Sequence, residues 1–222
     1  MIRRMATVLI TGANRGIGLE LSRQLTERGD EVIALCRDAS PELHELGLRV
    51  IEGVEVTDSA ALGKAAASLG DTEVDILINN AGIFTNETFR DLDFEEIRRN
   101  FEVNALGALR VTHALQNRLA KDAKIILITS RMGSIGDNGS GAYYGYRMAK
   151  AALNMAGVNL AHDFRGRASV AILHPGMVAT RMTGFAGIST EESASGLIAR
   201  IDALRPEDSG GFWHANGERL PW

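Results

Sequence analysis

The sequence predicts an α/β fold of three layers, a doubly wound parallel sheet within a single domain spanning residues 1–222, on three observations. Short β-rich runs alternate with longer stretches of helical period. Several runs are continuously apolar, among them Ile76-Leu77-Ile78 and Ile125-Ile126-Leu127-Ile128, as burial on both faces of a sheet requires. A glycine-rich turn follows the first run and opens the first helix.

Taken in order, Ala6–Ile10, Val32–Cys36, Arg49–Val54, Val74–Asn79, Lys124–Thr129 and Ser169–His174 read as strands, rich in aliphatic and β-branched residues. The stretches between them read as helices: Ile17–Arg28, Ser59–Leu69, Phe94–Leu119, Tyr144–Phe164 and Thr190–Leu204. The third is long enough to be two helices run together. Phe212–Ala215 reads as a last strand, with Asn216-Gly217 as the turn after it. No repeat, low-complexity segment or linker marks a second domain.

At 222 residues and 45% hydrophobic content the chain suits one domain with a substantial core. A net charge of −4 and a pI near 5.8 argue against a nucleic-acid binder that relies on a strongly basic surface. Small molecules are the expected partners. Cys36 is the only cysteine, so no internal disulfide forms, and the expected compartment is the reducing cytoplasm. Met1-Ile2-Arg3-Arg4 has the charge of a signal peptide, but the apolar run after it reaches only Ile10 before Thr11-Gly12 breaks it. That run reads as a buried first strand. No stretch approaches the roughly 20 apolar residues that cross a bilayer, so no membrane is expected.

Thr11-Gly12-Ala13-Asn14-Arg15-Gly16-Ile17-Gly18 sits between the first strand and the first helix, where backbone amides face a diphosphate. Its G-x-x-x-G-x-G spacing differs from the commoner G-x-G-x-x-G fingerprint, and a glycine-rich turn is by itself only a turn. Tyr146 and Lys150 stand four residues apart at the start of a helical stretch, which stacks a phenol and an ammonium on one face. An ammonium beside a phenol favours the phenolate and draws its pKa from near 10 toward neutrality. A phenol tuned in this way exchanges protons with a substrate oxygen. Alone, the pair is equally a solvated helix face.

In chain order, the Gly12/Gly16/Gly18 turn, Asn79-Asn80-Ala81-Gly82, Asn104 in Val103-Asn104-Ala105-Leu106-Gly107, Ser130, Tyr146-x-x-x-Lys150 and Pro175-Gly176 form a specific set. With them the chain resembles the short-chain dehydrogenase/reductase family along nearly its whole length. The texture of Ser130–Gly136 and the ending Pro221-Trp222 is similar to the C-factor and carbonyl-reductase-like branch. The resemblance implies a Rossmann-type fold with Tyr146 as general acid/base and Lys150 lowering its pKa and holding the nicotinamide ribose. It implies that Ser130 donates to the substrate carbonyl and that Asn104 positions a water in a proton relay. Hydride arriving at a carbonyl carbon leaves charge on oxygen, and a hydroxyl plus an acidic phenol stabilise it.

Ser130 lies sixteen residues before Tyr146, a longer spacing than the family usually has, and Gly136–Gly141 accommodates the excess as a loop insertion. Ser134 is the reserve candidate. Tyr143 has the usual spacing from Ser130, but its partner four residues on is Arg147, which lacks lysine's compact donor head. Tyr143 or Tyr144 is therefore expected to line the substrate cleft.

The same resemblance assigns cofactor contacts to Gly12, Asn14, Arg15, Gly16, Ile17 and Gly18 in the first turn and to Asn80, Ala81 and Gly82 after the fourth strand. Glu55 and Val56 fall at the adenine, and Pro175, Gly176, Val178 and Thr180 at the carboxamide and pyrophosphate. Arg37 comes first after the second strand with Arg15 in the glycine turn nearby, and two cations converging on a 2′-phosphate favour NADP(H). The alternatives are a surface Arg37–Asp38 pair, or Asp38 serving NAD(H) twenty residues beyond Gly18. His113 and His174 lack neighbours at metal spacing and read as structural, and Glu95–Arg99 reads as a charge-paired solvated face. Phe212, Trp213 and Trp222 read as core or as a subunit contact, and the family implies a homodimer or homotetramer, with monomers in the carbonyl-reductase-like branch. The C-factor likeness also leaves open a dinucleotide-binding signalling protein, and the wider superfamily an epimerase or dehydratase.

Overall fold

A computed structural model describes residues 5–222 of the chain; the basic start, Met1–Arg4, lies outside them. Its strands are β1 (Thr7–Thr11), β2 (Glu31–Leu35), β3 (Arg49–Ile51), β4 (Val74–Asn79), β5 (Leu119–Ile128), β6 (Ala168–His174) and β7 (Gly211–His214). They form one sheet in the order β3-β2-β1-β4-β5-β6-β7, with every neighbouring pair parallel. The helices are α1 (Gly16–Glu27), α2 (Pro41–Glu45), α3 (Ser59–Ser68), α4 (Phe94–Phe101), α5 (Ala108–Leu115), α6 (Tyr144–Asp163) and α7 (Thr190–Ala203).

Strand side chains alternate between the two helical layers, because successive Cβ atoms leave opposite faces of a sheet. Val8, Ile10, Ile76, Ile78, Ile126 and Ile128 share one cluster with Leu21 and Leu25 of α1 and Leu197 and Ile201 of α7. On the other face Leu9, Ile33 and Leu77 pack with Leu62 of α3 and Val111 of α5. Ile125, Leu127 and Ile172 pack there against Leu153 and Leu160 of α6. The doubly wound three-layer arrangement matches the sequence expectation.

Three elements depart from it. Helix α2 was not anticipated, although Ser40-Pro41 carries the signal: Ser40 Oγ accepts from Leu43 N–H at 3.2 Å and Pro41 occupies the first turn. The expected helix Phe94–Leu119 breaks into α4, a π-helical turn over Glu102–Gly107, and α5. It also ends early, because Arg118 turns back onto Leu115 (2.8 Å), Val74 N–H takes the Arg118 carbonyl (2.7 Å), and Leu119 pairs with Val74. The early pairing forces a register shift between Val74 and Ile76 before β5 regains its ladder. Strand β3 stops at Ile51 rather than Val54, since Gly53 N–H turns away to Arg37 O at 2.8 Å.

The expected Asn216-Gly217 turn is present, closed by His214 N–H to Glu218 O at 2.8 Å. Phe212 is core and stacks on Trp222 with centroids 5.4 Å apart, while Trp213 lies 5.6 Å beneath the Arg219 guanidinium. Among the described residues, no helix is long and apolar enough to cross a membrane.

Candidate active site

β1 lies between β2 and β4, so the chain leaves the sheet centre in opposite directions and a crevice opens at the carboxyl ends of β1 and β4. The glycine turn lies there. Gly12 and Gly16 have φ of +65° and +55°, which side-chain-bearing residues rarely adopt. A Cβ on Gly12 would lie 2.9 Å from Ala81 Cα, and one on Gly18 would lie 2.3 Å from Gly12 O, so these two glycines serve close packing. A Cβ on Gly16 would meet Thr180 Cγ2 at 3.3 Å, which brings the segment after β6 onto the turn.

Asn80 braces the turn, its Nδ2 donating to Thr11 O at 3.0 Å and Gly12 O at 3.1 Å. Thr11 Oγ1 returns the link by accepting from the backbone N–H of Asn80 (3.0 Å) and Ala81 (3.1 Å). This role of Thr11 was not singled out from sequence; a hydroxyl ending an apolar strand was its signal. Asn14 Nδ2 donates to Asp38 O at 3.2 Å and ties the turn to the end of β2, while Ile17 packs on the core. Pro175 is buried, its carbonyl accepting from Ser193 Oγ at 2.8 Å, and Val178 is buried beside its bridge to Ile188.

The first turn of α1 carries no acidic residue and no side-chain cap, whereas Ser40, Asp58, Asp93 and Ser189 cap α2, α3, α4 and α7. Open amides at a helix start attract anions. Arg15 and Arg37 are both exposed beside this crevice. Arg37 pairs with Glu55 at 3.3 Å rather than with Asp38, and Val56 is buried against Gly107. Uncapped amides with two adjacent guanidinium groups fit a phosphorylated dinucleotide.

Helix α6 presents Tyr146 and Lys150, both buried, on its sheet-facing side. Ser130 follows β5 with its hydroxyl against that of Tyr146, and its Oγ accepts from Met132 N–H at 3.1 Å. Lys150 Nζ donates to Ile128 O at 2.9 Å and lies 5.7 Å from the Tyr146 ring centroid. Asn154, one turn further, accepts from Thr129 Oγ1 at 2.7 Å and donates to Gly133 O at 3.3 Å, fastening α6 to the strand end. Phe84 packs edge-on against Tyr146 at 4.9 Å and tilted against Tyr143 at 5.5 Å, so Tyr143 lies near the Tyr146 phenol. Asn104 lies in the π-helical turn, and its side chain clasps Ile83 by accepting from N–H and donating to O, each at 2.9 Å. A Cβ on Gly82 would lie 2.8 Å from Asn104 Oδ1 and 3.8 Å from Lys150 Nζ, so both groups converge on that glycine.

The phenol is not drawn down as the spacing predicted. Burial pushes Tyr146 up to about 12, with the Ser130 hydrogen bond opposing, and burial pushes Lys150 down to about 8. The physical reason is that both groups are desolvated and the ammonium is directed at a backbone carbonyl.

The reserve serine is engaged elsewhere: Ser134 Oγ accepts from Asp137 N–H at 3.0 Å within the inserted loop. Arg147 ties the same loop to α6, with Nε on Gly141 O at 3.1 Å and Nη2 on Ser140 Oγ at 2.8 Å. His113 is exposed, and His174 packs edge-on against His214 at 4.9 Å.

The short chain dehydrogenase profile matches residues 6–189. The chain belongs to this family. It is 44% identical over 226 residues to 1-hydroxy-2-glutathionyl-2-methyl-3-butene dehydrogenase of Rhodococcus sp. (strain AD45), covering 98% of this chain and 100% of that one. It is also 44% identical over 154 residues to C-signal of Myxococcus xanthus, covering 67% and 93%. The crystal structure of NADPH-bound carbonyl reductase from chicken fatty liver superposes with a TM-score of 0.92 at 32% identity, covering 99% and 100%. The chain is thus a short-chain oxidoreductase with a carbonyl-reductase-like fold.

Proposed function

We propose that the chain interconverts a carbonyl and an alcohol with NADP(H), using Tyr146 as the proton-transferring group. The observation that carries this reading is the contact of Ser130 with the Tyr146 hydroxyl, beside Lys150, at the mouth of a crevice with uncapped helix amides. The bound dinucleotide would supply or accept the hydride. Ser130 donates a hydrogen bond to the carbonyl oxygen, and Tyr146 Oη delivers its proton to that oxygen as charge develops there. Burial holds Tyr146 as a neutral phenol at neutral pH, the acid form that carbonyl reduction needs. Lys150 holds the ribose, and Asn104 positions the water of the relay.

Arg37 with Arg15 favours the 2′-phosphate and therefore NADP(H) over NAD(H), in keeping with the NADPH-bound relative. The remaining contacts, Gly12, Asn14, Gly16, Ile17, Gly18, Glu55, Val56, Asn80, Ala81, Gly82, Pro175, Gly176, Val178 and Thr180, belong to the same reading. The substrate is a small carbonyl or alcohol; Met177, Met182 and Phe185, exposed after Pro175-Gly176, supply apolar walls for it. The solitary buried Cys36 accords with a cytoplasmic setting. Exposed Phe94, Phe101 and Leu109 on α4 and α5 offer a surface for a homodimer or homotetramer.

The test follows NADPH oxidation across a carbonyl panel for wild type and Tyr146→Phe. Loss of turnover with dinucleotide affinity retained supports the reading, and unchanged turnover rejects it. The C-signal relative favours one other reading, a dinucleotide-binding signalling protein. That reading requires NADPH binding without consumption of NADPH by any member of the panel.

A further inference from the structure

Behind the catalytic cluster a chain of hydrogen bonds ends on Glu87, a carboxylate only 4% exposed. Asn104 Nδ2 donates to Asn100 Oδ1 at 2.8 Å, and Asn100 Nδ2 donates to Thr85 Oγ1 at 2.6 Å. Thr85 in turn donates to Glu87 Oε1. Asn100 and Asn104 are 0% and 1% exposed, so water does not compete for these bonds. These three links run the same way, toward a group that, when ionised, only accepts, while Asn104 and Asn100 each also donate to a backbone carbonyl, Ile83 O at 2.9 Å and Glu96 O at 3.2 Å.

The other carboxylate oxygen of Glu87 reaches the second wall of the site. Its Oε2 accepts from Gly145 N–H at 3.3 Å in the first turn of α6, one residue before Tyr146. The Glu87 backbone carbonyl accepts from Tyr143 N–H at 2.7 Å, where Ala142 and Tyr143 hold left-handed φ of 55° and 54°. Helix α6 lacks a side-chain cap of its own residues, and a Cβ on Gly145 would meet Glu87 Oε1 at 2.9 Å and Asn100 Nδ2 at 3.3 Å. Gly145 is where the carboxylate and the helix come together.

We infer that Glu87 is a positioning residue that fixes the orientation of the Asn104 amide and the seating of α6 at once. With one Nδ2 bond running toward Glu87 and the other on Ile83 O, Asn104 turns Oδ1 onto Ile83 N–H and the Gly82 neighbourhood shared with Lys150. The side chain acts through Asn104 and touches no reacting atom. Its catalytic consequence rests on the relay role proposed for Asn104.

Glu87→Gln tests this with little change of shape. The amide has a single acceptor where the carboxylate has two, so either the Thr85 or the Gly145 bond is lost. Thr85→Val cuts the chain while leaving the Gly145 contact in place. Side-chain amide NMR of Asn100 and Asn104 is read first, because it needs no turnover. Both variants are expected to shift these resonances and speed their exchange, while those of Asn154 stay put. In carbonyl reduction both are expected to lower kcat on the order of 10- to 100-fold with KM for NADPH unchanged, and to add nothing in an Asn104→Ala background. Unmoved Asn104 resonances in both variants, or losses that multiply with that of Asn104→Ala, overturn the inference. If Asn104→Ala itself reduces carbonyls at the wild-type rate, the relay reading falls, while the amide spectra still decide whether Glu87 sets the orientation.

Discussion

The titration of two buried side chains ties the site to the stability of the fold. Lys150 is held at about 8 against an ordinary 10.5, so between these values the unfolded chain binds more protons and stability rises with pH. Below about 8 the full cost of burying the ammonium is present. Tyr146 works in the opposite sense: raised from 10 to about 12, it lowers stability as pH rises through that window. Urea unfolding at stepped pH should therefore show wild type gaining on Lys150→Met from about pH 8 to 10.5; parallel curves would remove the assigned shift. His174, held at about 3 by burial and by His214, adds an acid-side loss as pH falls from 6.5. An Asn replacement of His174 should flatten that limb in the same experiment. At this scale helical spacing made Tyr146 and Lys150 legible as a pair and a strand end marked Ser130, whereas Asn104 and the roles of all four came from the family resemblance alone. Glu87 was not legible, since a loop has no period and its partner Gly145 is 58 residues away. Asn100 had a fainter signal, four residues before Asn104 on a helical stretch. The direction of the phenol shift was misread because spacing reports proximity and says nothing about desolvation.

Two helical glycines separate packing from propensity. In α6 a Cβ on Gly157 would lie 2.6 Å from Ile172 Cδ1 and 2.8 Å from Leu127 Cδ1, so alanine there must displace these side chains or the helix. Overpacking of this kind costs about 1–3 kcal/mol, more than the roughly 1 kcal/mol that alanine's helix propensity returns. Gly63 in α3 faces open space, so Gly63→Ala should stabilise by about 0.5–1 kcal/mol. Equilibrium denaturation of the two variants should give shifts of opposite sign; equal signs would contradict the packing assigned to α6. Apolar periodicity revealed α1, α3, α6 and α7 within a residue or so of their ends. It overlooked α2, which is too short for a period, and the π-helical turn, which interrupts a helical stretch without breaking its apolar pattern.

For the molecule as a whole, the crevice joins the ends of β1, β2 and β4, so dinucleotide binding stabilises the fold through the sheet centre. NADPH at 100 times its Kd should add about 2.7 kcal/mol to unfolding, visible as a higher Tm. NADH at the same concentration should add less, and Arg37→Ala should close the difference between the two cofactors; a gap that persists in this variant would assign the 2′-phosphate elsewhere. Sheet class and layer assignment were legible because buried parallel strands must be apolar on both faces. The pairing of Arg37 with Glu55 was not, being set by how β2 and the segment after β3 meet. Cys36 lies in that same corner, buried at the end of β2, its thiol pushed up to about 11 by burial with Glu52 and Asp38 adding to it. So placed, it is an intrinsic clock for local opening: an alkylating reagent must wait for the end of β2 to part from its neighbours, and the labelling rate reads that event without any engineered probe.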